Sequence, residues 1–310
     1  MCVAKFCPTI FCSYCSFYFE KLETLVPAAV NVNHMEIDLY KTDGTILYSD
    51  STQLKTTDGV AISVVASGFK YVSGFKQLNS SHVIVVDSDN DCIKIVNRID
   101  QSRAVLAGTC GASGFIDGTS ARFFNPYQVE LDERNVGYLL VTDRLNNALR
   151  TIEIASGMVG TVIRTGFNNP AGLAWYHGRL LVSNNYYLSQ VLWSFNGTIT
   201  NTKLTTHTLP GHQDGNFSAV QFSQPFGIHE IVDGLFLVAD SGNKKLRLLS
   251  MKQKKVLPVC IGSDSNCTTS TQLSSSPRSF LVSNETVYVG GYRSLFKLTG
   301  NFIWQILSLP

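Results

Sequence analysis

The stretch GLFLVADSGNKKLRLL at Gly234–Leu249 recurs along this chain in weaker copies. Each copy is an apolar run, a small polar turn and an alternating run, which is the pattern of a β-hairpin. A repeated unit restricts the fold more than any single residue does, because each unit must bury its apolar face against its neighbours. The further copies begin at Gly137, His82, Gly178 and, in the faintest form, Thr286.

A polar turn in each copy defines the spacing of the repeat. The turns stand at positions 87, 143, 184, 240 and 290, so successive copies lie 56, 41, 56 and 50 residues apart. Both 56-residue steps contain an inserted Asp-Gly loop, at 114–126 and 211–225. Without these loops the unit is about 40 residues long, the length of a four-stranded propeller blade. Aspartates in such turns and loops cap backbone amides, so these are interpreted as structural: Asp87, Asp143, Asp240, Asp117 and Asp214.

Four strands can be placed in each unit. Four units open with a proline-led apolar segment, continue with the hairpin, and end in an outer strand such as MVGTVI. The short hairpins and the lack of a helical period predict an all-β fold. Five units account for Tyr71–Leu309, and the strand-like stretch Val30–Gly68 has the length of one more. We therefore predict a β-propeller of six four-stranded antiparallel blades over residues 30–310, with five blades as the alternative.

The best-preserved copies resemble NHL repeats. VADSGNKKLR is similar to the core of that repeat, and DGTSARFFNPYQV and DGNFSAVQFSQPFGI are similar to its inter-blade segment. The resemblance covers most of the chain from Tyr71 onward and weakens in the last unit, where Gly290 and Gly291 replace the aspartate turn. With LAGTCGASGFIDGT added, the chain looks most like the extracellular, disulfide-bearing NHL propellers of animal proteins. The resemblance implies a propeller but no single function.

Cysteines and glycosylation sequons both bear on the cellular compartment. Cys92 and Cys110 lie equally far from Gln101, so a hairpin centred there places them within disulfide reach; the alternative is two unrelated buried thiols. Cys260 and Cys267 form the second predicted disulfide, across a short loop. These pairs and five Asn-x-Ser/Thr sequons favour an oxidising, glycosylating compartment, so we predict an extracellular or secretory location. The sequons stand at Asn79, Asn196, Asn216, Asn266 and Asn284.

Residues 1–29 are assigned to a leader outside the propeller. Met1–Lys5 looks like the charged start of a signal sequence and Phe6–Phe19 like its apolar core, but no small-residue cleavage site follows. A poor or truncated signal sequence, an unstructured leader and a Cys12-x-x-Cys15 metal site stay open as interpretations, and the last lacks a second ligand pair nearby. No apolar run reaches 18 residues, so we expect no transmembrane helix.

The leading functional hypothesis is a non-catalytic binding module of a secreted or cell-surface protein. In such a module the loops on the propeller faces contact a protein or glycan partner. The candidate contact is the hairpin in which the usual turn becomes Ser183–Tyr187, because tyrosines supply large, rigid contact area. The alternative is that one tyrosine of the pair packs inward. We expect no cofactor, and the candidate binding residues are Tyr186, Tyr187, Asn184, Asn185, Trp175 and Tyr176.

Two other functions stay open. NHL-like and related propellers include amidating lyases and lactonases, which use polar groups and often a metal in the central channel. Only Glu130 and His229 occupy matching inner-strand positions, which is a thin set for a catalytic metal site. An RNA-binding propeller would use the basic run Lys244–Lys255, which we interpret first as a solvated, lysine-protected hairpin edge. A net charge of +2 gives no reason to expect a nucleic-acid or membrane partner.

Overall fold

Six antiparallel sheets surround a common axis in the computed structural model. The structure describes residues 17–19, 21–26, 37–39, 46–57, 62–261, 272–283, 286–291 and 294–299. Each sheet is one blade of a β-propeller, so the prediction of an all-β, six-bladed propeller is confirmed. The first strand of each blade is innermost, and the innermost strands of neighbouring blades pack against each other. We number the blades 1 to 6 in chain order.

The strands of each blade run outward from the axis in chain order. Blade 1 consists of Ile37–Leu39, Ile46–Ser49, Gln53–Thr57 and Ile62–Ser67. Blade 2 consists of Val72–Gln77, His82–Asp87, Cys92–Asn97 and Arg103–Ala107. Blade 3 consists of Pro126–Leu131, Tyr138–Asp143, Ala148–Glu153 and Val159–Ile163. Blade 4 consists of Leu173–Tyr176, Arg179–Ser183, Leu188–Trp193 and Ile199–Lys203. Blade 5 consists of Pro225–Val232, Leu235–Asp240, Lys245–Ser250 and Lys255–Ile261. Blade 6 contains Pro277–Ser283, Thr286–Gly291 and Ser294–Thr299. Gly215–Asn216 pairs with the outermost strand of blade 5, and short 3-10 turns lie at Ser88–Asn90, Arg144–Asn146 and Ser241–Asn243.

Two further strands precede blade 1 in the chain. Lys21–Val26 pairs antiparallel with Ser294–Thr299 and becomes the outermost strand of blade 6. Phe17–Phe19 pairs in parallel with Lys255–Ile261 of blade 5. The assignment of residues 1–29 to a leader is therefore wrong for these two segments. A strand from one part of the chain that completes the blade formed by another part closes the ring of a propeller.

The apolar core is divided into layers between neighbouring blades. One layer joins blades 2 and 3, and equivalent layers join blades 1 and 2, 3 and 4, 4 and 5, and 5 and 6. The middle strands are therefore covered on both faces, which explains their near-continuous apolar runs. The third residue after each of the prolines that open these units is buried; these residues are Val129, Leu173, Ile228 and Phe280.

A buried charge network fixes the turn after the second strand of blade 5. Asp240 Oδ2 accepts hydrogen bonds from Arg247 Nη1 and Asn243 Nδ2, both at 2.8 Å, and Asp240 Oδ1 accepts one from Ser223 N at 2.8 Å. Arg247 is fully buried, and its Nε donates to Asp214 Oδ1 at 2.6 Å. Burial raises the pKa of Asp240, and the surrounding donors oppose that rise. The two carboxylates thus hold the turn and the inserted loop to one guanidinium.

Blade 3 repeats this arrangement, and blade 2 uses a lysine in it. Asp143 Oδ2 accepts a hydrogen bond from the buried Arg150 Nη1 at 2.7 Å, and Arg150 also pairs with Asp117 of the inserted loop. In blade 2, Lys94 Nζ lies 2.6 Å from Asp87 Oδ2. The cation stands seven residues after the aspartate in all three blades, so the spacing brings both to the same end of a two-strand hairpin.

Hydroxyl groups connect each blade to the next one in the chain. Thr142 Oγ1 donates to Ala171 O at 2.9 Å, and Ser183 Oγ donates to Phe226 O at 2.6 Å. A Cβ atom added to Gly172 would lie 2.1 Å from Phe226 O, so only glycine fits where these backbones meet. The same hydroxyl-to-carbonyl bond joins blade 2 to blade 3 and blade 5 to blade 6, with donors Ser73, Ser88 and Ser241.

The structure contains a disulfide between Cys92 and Cys110, at the positions that the sequence analysis paired. Cys92 begins the third strand of blade 2 and Cys110 follows its outermost strand, so the bond joins neighbouring strands at one end of the blade. The second predicted pair involves Cys267, which lies outside the described residues.

The substitution Arg247→Met should lower the free energy of unfolding by roughly 3–5 kcal/mol, because Asp240 then remains buried without its cation. The double variant Asp240→Asn, Arg247→Met should recover part of this loss, since it removes the fully buried charge of Asp240 and leaves only the partly exposed Asp214 without a cation. Urea unfolding measures both, with the exposed Lys255→Met as the matched control. Equal losses in the single and double variants would contradict this account.

Loss of the disulfide should also be measurable. The variant Cys92→Ala, Cys110→Ala should lower the free energy of unfolding by roughly 3 kcal/mol, because the bond closes a loop with a sequence separation of 18. Reduction of the unmodified protein serves as the control and should give a similar loss. An unchanged unfolding midpoint under both treatments would show that the bond adds nothing to stability.

Candidate functional site

The propeller has two faces, and they carry different loops. The turn face holds the turns between second and third strands together with the inserted Asp-Gly loops; the hairpin face holds the other connections within each blade. In blade 4, Asn184–Tyr187 lies on the turn face, whereas Trp175–Tyr176 ends on the hairpin face. The whole strand Arg179–Ser183 lies between them. The six candidate binding residues therefore lie at opposite ends of blade 4 and do not form one contact surface.

The blade 4 turn is held by buried neutral groups. Asn184 is 0% exposed; its Nδ2 donates to Ser189 Oγ at 3.0 Å, and its Oδ1 accepts from Asn168 N at 3.0 Å. Tyr187 is 4% exposed, and its hydroxyl donates to Gly166 O at 3.0 Å. The predicted exposed role of Asn184 and Tyr187 is wrong because both satisfy their polar atoms inside the blade. Asn184 and Ser189 replace the aspartate and cation of the other turns.

Trp175 is also part of the core. It is 8% exposed, its Nε1 donates to Leu131 O at 2.8 Å, and its ring lies 5.7 Å from that of Trp193. These contacts hold blade 4 against blade 3, so a binding role for Trp175 is wrong as well. Of the six candidates, only Asn185, Tyr186 and Tyr176 keep partial exposure.

The central channel holds a lysine that the sequence analysis missed. Lys76, Glu130 and His229 occupy the same layer, since each pairs with the residue three positions before a turn aspartate. Lys76 Nζ lies 2.7 Å from Glu130 Oε1. Val72 begins this inner strand in place of proline, so an alignment on prolines passes over blade 2. An alignment on the turn aspartates would have placed Lys76 beside the other two.

The charges in this layer do not suit a catalytic metal ion. Burial and the charge of Lys76 lower the pKa of His229 to about 4, so its imidazole is neutral at physiological pH. Glu130 and Glu230 lie near Glu133, and burial together with these two carboxylates raises the pKa of Glu133. Within the described ranges, no three His, Cys, Asp or Glu side chains converge as metal ligands. The ammonium of Lys76 already pairs with Glu130, the carboxylate that a metal ion in this layer would need as a ligand.

Side chains from three blades meet across the axis near the turn face. The rings of Tyr127 in blade 3 and Phe226 in blade 5 lie 5.0 Å apart, although blade 4 separates these blades in the ring. Arg278 of blade 6 lies 3.7 Å from the centroid of Phe226, and its Nη1 donates to Tyr127 Oη at 3.2 Å. These contacts fill the turn-face end of the channel with packed aromatic and guanidinium groups.

One residue of the basic run is buried, whereas the sequon asparagines that the structure describes are exposed. Arg247, inside the basic run, is fully buried in the charge network of blade 5, so the interpretation of the run as a solvated edge is wrong at that residue. The side chains of three sequon asparagines are exposed, at Asn79, Asn196 and Asn216. The sequons at Asn266 and Asn284 lie outside the described residues.

Comparison with known proteins shows the fold and not a family. No family model matches the sequence, and no curated protein matches it. Among solved structures, an auxiliary nutrient-binding protein from Bacteroides ovatus matches with a TM-score of 0.68 and 12% identity, covering 92% of this chain and 77% of that chain. A gluconolactonase from Xanthomonas campestris matches with a TM-score of 0.65 and 11% identity, covering 90% and 89%. A chain of a nidogen/laminin complex matches with a TM-score of 0.56 and 12% identity, covering 83% and 84%.

These neighbours support a six-bladed propeller, and at such identities they support nothing finer. No helix in the part of the chain that the structure describes is long and apolar enough to cross a bilayer.

His229 should titrate with a pKa of about 4 in nuclear magnetic resonance spectra of the folded protein. Because this lies below the ordinary value near 6.5, protonation favours the unfolded chain. The contribution of His229 to stability is therefore complete above about pH 6.5 and declines as the pH falls towards 4.

The variant Lys76→Met should raise the pKa of His229, because it removes the neighbouring positive charge. A His229 midpoint near 6.5 in the unmodified protein would contradict the placement of this side chain in a desolvated channel beside Lys76.

Proposed function

We propose that this chain is a non-catalytic binding module of the NHL propeller type, belonging to a secreted or cell-surface protein. The observation that carries this proposal is the ion pair between Lys76 and Glu130 in the central channel. Propeller enzymes with a metal site direct carboxylate, imidazole or carbonyl groups at a cation in the channel. Here the candidate carboxylate is already neutralised by an ammonium group, and the candidate imidazole is desolvated beside the same ammonium.

The secretory location is supported by two independent features. The Cys92–Cys110 disulfide is typical of an oxidising compartment. The described sequons place Asn79 and Asn196 at connections on the hairpin face and Asn216 at the outer edge of blade 5, all with exposed side chains. A glycosyltransferase needs this exposure, so N-glycans on these three residues are part of the proposal.

The enzyme alternative rests on Glu130 and His229, which share one layer of the channel. The gluconolactonase among the structural neighbours fits that alternative, and the nutrient-binding protein fits a binding role. Both likenesses concern the fold alone, so the choice between the functions depends on the channel charges. With Lys76 in that layer, we favour binding over catalysis.

Titration with Ca²⁺, Mg²⁺ and Zn²⁺ by calorimetry tests the non-catalytic role. We expect no saturable binding by the unmodified protein, because Lys76 compensates Glu130. Micromolar binding of any of these ions that is lost in Glu130→Gln and kept in Glu153→Gln, a carboxylate remote from the channel layer, would overturn the proposal. Metal-dependent hydrolysis of a sugar lactone would do the same.

Expression in a secretory host tests the location. We expect mass mapping to find glycans on Asn79, Asn196 and Asn216 and no free thiol at Cys92 or Cys110. A secreted product without glycans and with both thiols free would overturn the extracellular assignment.

A further inference from the structure

Two arginines stand at the turn-face end of the channel, beside the packed rings of Tyr127 and Phe226. Arg144 begins the 3-10 turn of blade 3, and Arg278 is the second residue of the inner strand of blade 6. Arg144 Cζ lies 5.5 Å and Arg278 Cζ 3.7 Å from the centroid of Phe226. Both residues are partly exposed. Two positive charges from different blades therefore stand beside the same ring.

Neither of these guanidinium groups is paired with a carboxylate in the part of the chain that the structure describes. Arg278 Nη1 donates to the neutral Tyr127 Oη at 3.2 Å, and the Nε atoms of both arginines are buried without an acceptor among the described residues. The fully buried Arg150 and Arg247, by contrast, pair with carboxylates. The turn-face end of the channel thus presents charge and N–H donors that the fold itself does not match.

The carboxylates of the turns in blades 2 and 3 are engaged in other contacts. Asp143 Oδ2 accepts a hydrogen bond from Arg150 Nη1 at 2.7 Å. In blade 2, Asp91 Oδ1 accepts one from Asn125 N at 2.7 Å, and Asp89 Oδ1 accepts one from Asn125 Nδ2 at 3.3 Å. These turns therefore supply no carboxylate to the two arginines at the end of the channel.

Two exposed apolar side chains flank Arg144 on the turn face. Leu145 follows it in the chain, and Leu145 N donates to Phe124 O at 3.1 Å, so Phe124 and Leu145 are neighbours. Both are exposed. Arginine together with large apolar side chains is typical of surfaces that bind proteins. A small inorganic anion would pair with the charges but would leave both apolar side chains in water.

The donors at this end of the channel suit a carboxylate better than a phosphate. A guanidinium presents parallel N–H groups that match the two oxygens of a carboxylate. Phosphate sites commonly add several backbone amides from a turn or a helix start. Here the amides beside Arg144 are already used, because Leu145 N donates to Phe124 O and Asn147 N donates to Arg144 O at 3.2 Å.

We propose that the turn-face end of the channel binds an acidic segment of a partner protein. Glutamate or aspartate side chains of that segment pair with Arg144 and Arg278, and its apolar side chains cover Phe124 and Leu145. This inference rests on the proposed binding function and names the class of partner.

Fluorescence anisotropy with a labelled hexapeptide of alternating glutamate and leucine, blocked at both ends, tests the proposal on the full secreted chain. We expect saturable binding that weakens with added salt, and no binding of the matching glutamine–leucine peptide. The variants Arg144→Gln and Arg278→Gln should each weaken binding roughly tenfold, the effect of losing one charged hydrogen bond.

Arg164→Gln is the matched control. Arg164 is also an arginine beside an aromatic ring, with its Cζ 3.9 Å from the centroid of Phe115, but it follows the outermost strand of blade 3 and lies away from the channel. This variant should change the affinity by less than a factor of two. Thermal unfolding shows which variants fold, and Arg144→Gln decides the test if Arg278→Gln does not.

Unchanged affinity in Arg144→Gln would overturn the site. Tighter binding of a phosphoserine–leucine peptide or of a hexauridine RNA would overturn the assignment to carboxylates of a protein, and equal binding of a glutamate–serine peptide would overturn the apolar contact. Failure of the glutamate–leucine peptide to bind overturns this inference alone, whereas saturable metal binding or metal-dependent hydrolysis refutes the proposed binding function separately.

Discussion

The turns of blades 3 and 5 depend on a guanidinium that is entirely removed from water. An arginine in such a place is tolerated only when its charge is paired, and here two carboxylates and backbone carbonyls accept hydrogen bonds from each guanidinium. One carboxylate ends the second strand, and the other belongs to the inserted Asp-Gly loop before the blade. The arginine therefore fixes the loop, the turn and the third strand together. Blade 4 has neither the loop nor the ion pair, and a hydrogen bond between Asn184 and Ser189 stands in place of the two charges.

The ring is assembled from contacts that are short in range and repeated. Apolar layers join neighbouring blades, and a hydroxyl at each turn donates to a carbonyl of the next inner strand. Inner strands approach so closely at Gly172 and Gly227 that a methyl group would strike a backbone carbonyl. The arrangement of the blades around the axis is thus dictated by the packing of the inner strands.

The hairpin repeat, the blade count and the structural aspartates could be predicted because each follows from local pattern and turn chemistry. The exposure of Asn184 and Tyr187 was predicted wrongly because the turn of blade 4 differs in sequence from the other turns, and that difference was interpreted as a binding feature. In the structure, the neutral Asn184 and Ser189 replace a buried charge pair at this turn. Lys76 was missed because Val72 stands where other blades have proline. Strands Phe17–Phe19 and Lys21–Val26 were likewise hidden, because their partners lie far along the chain.

The hydroxyl bonds seen between blades 2 and 3, 3 and 4, 4 and 5, and 5 and 6 run in one direction, from a blade to its successor in the chain. A polypeptide emerges from the ribosome with its N-terminal part first. Each newly formed blade therefore presents an unmatched hydroxyl and an open apolar face until the following blade has been made. During synthesis, the blade formed last exposes an apolar face. That face is covered for good only when the strand Lys21–Val26 pairs with the final blade and closes the ring. The incomplete propeller can therefore associate incorrectly through this exposed face during synthesis, which the closed ring cannot do.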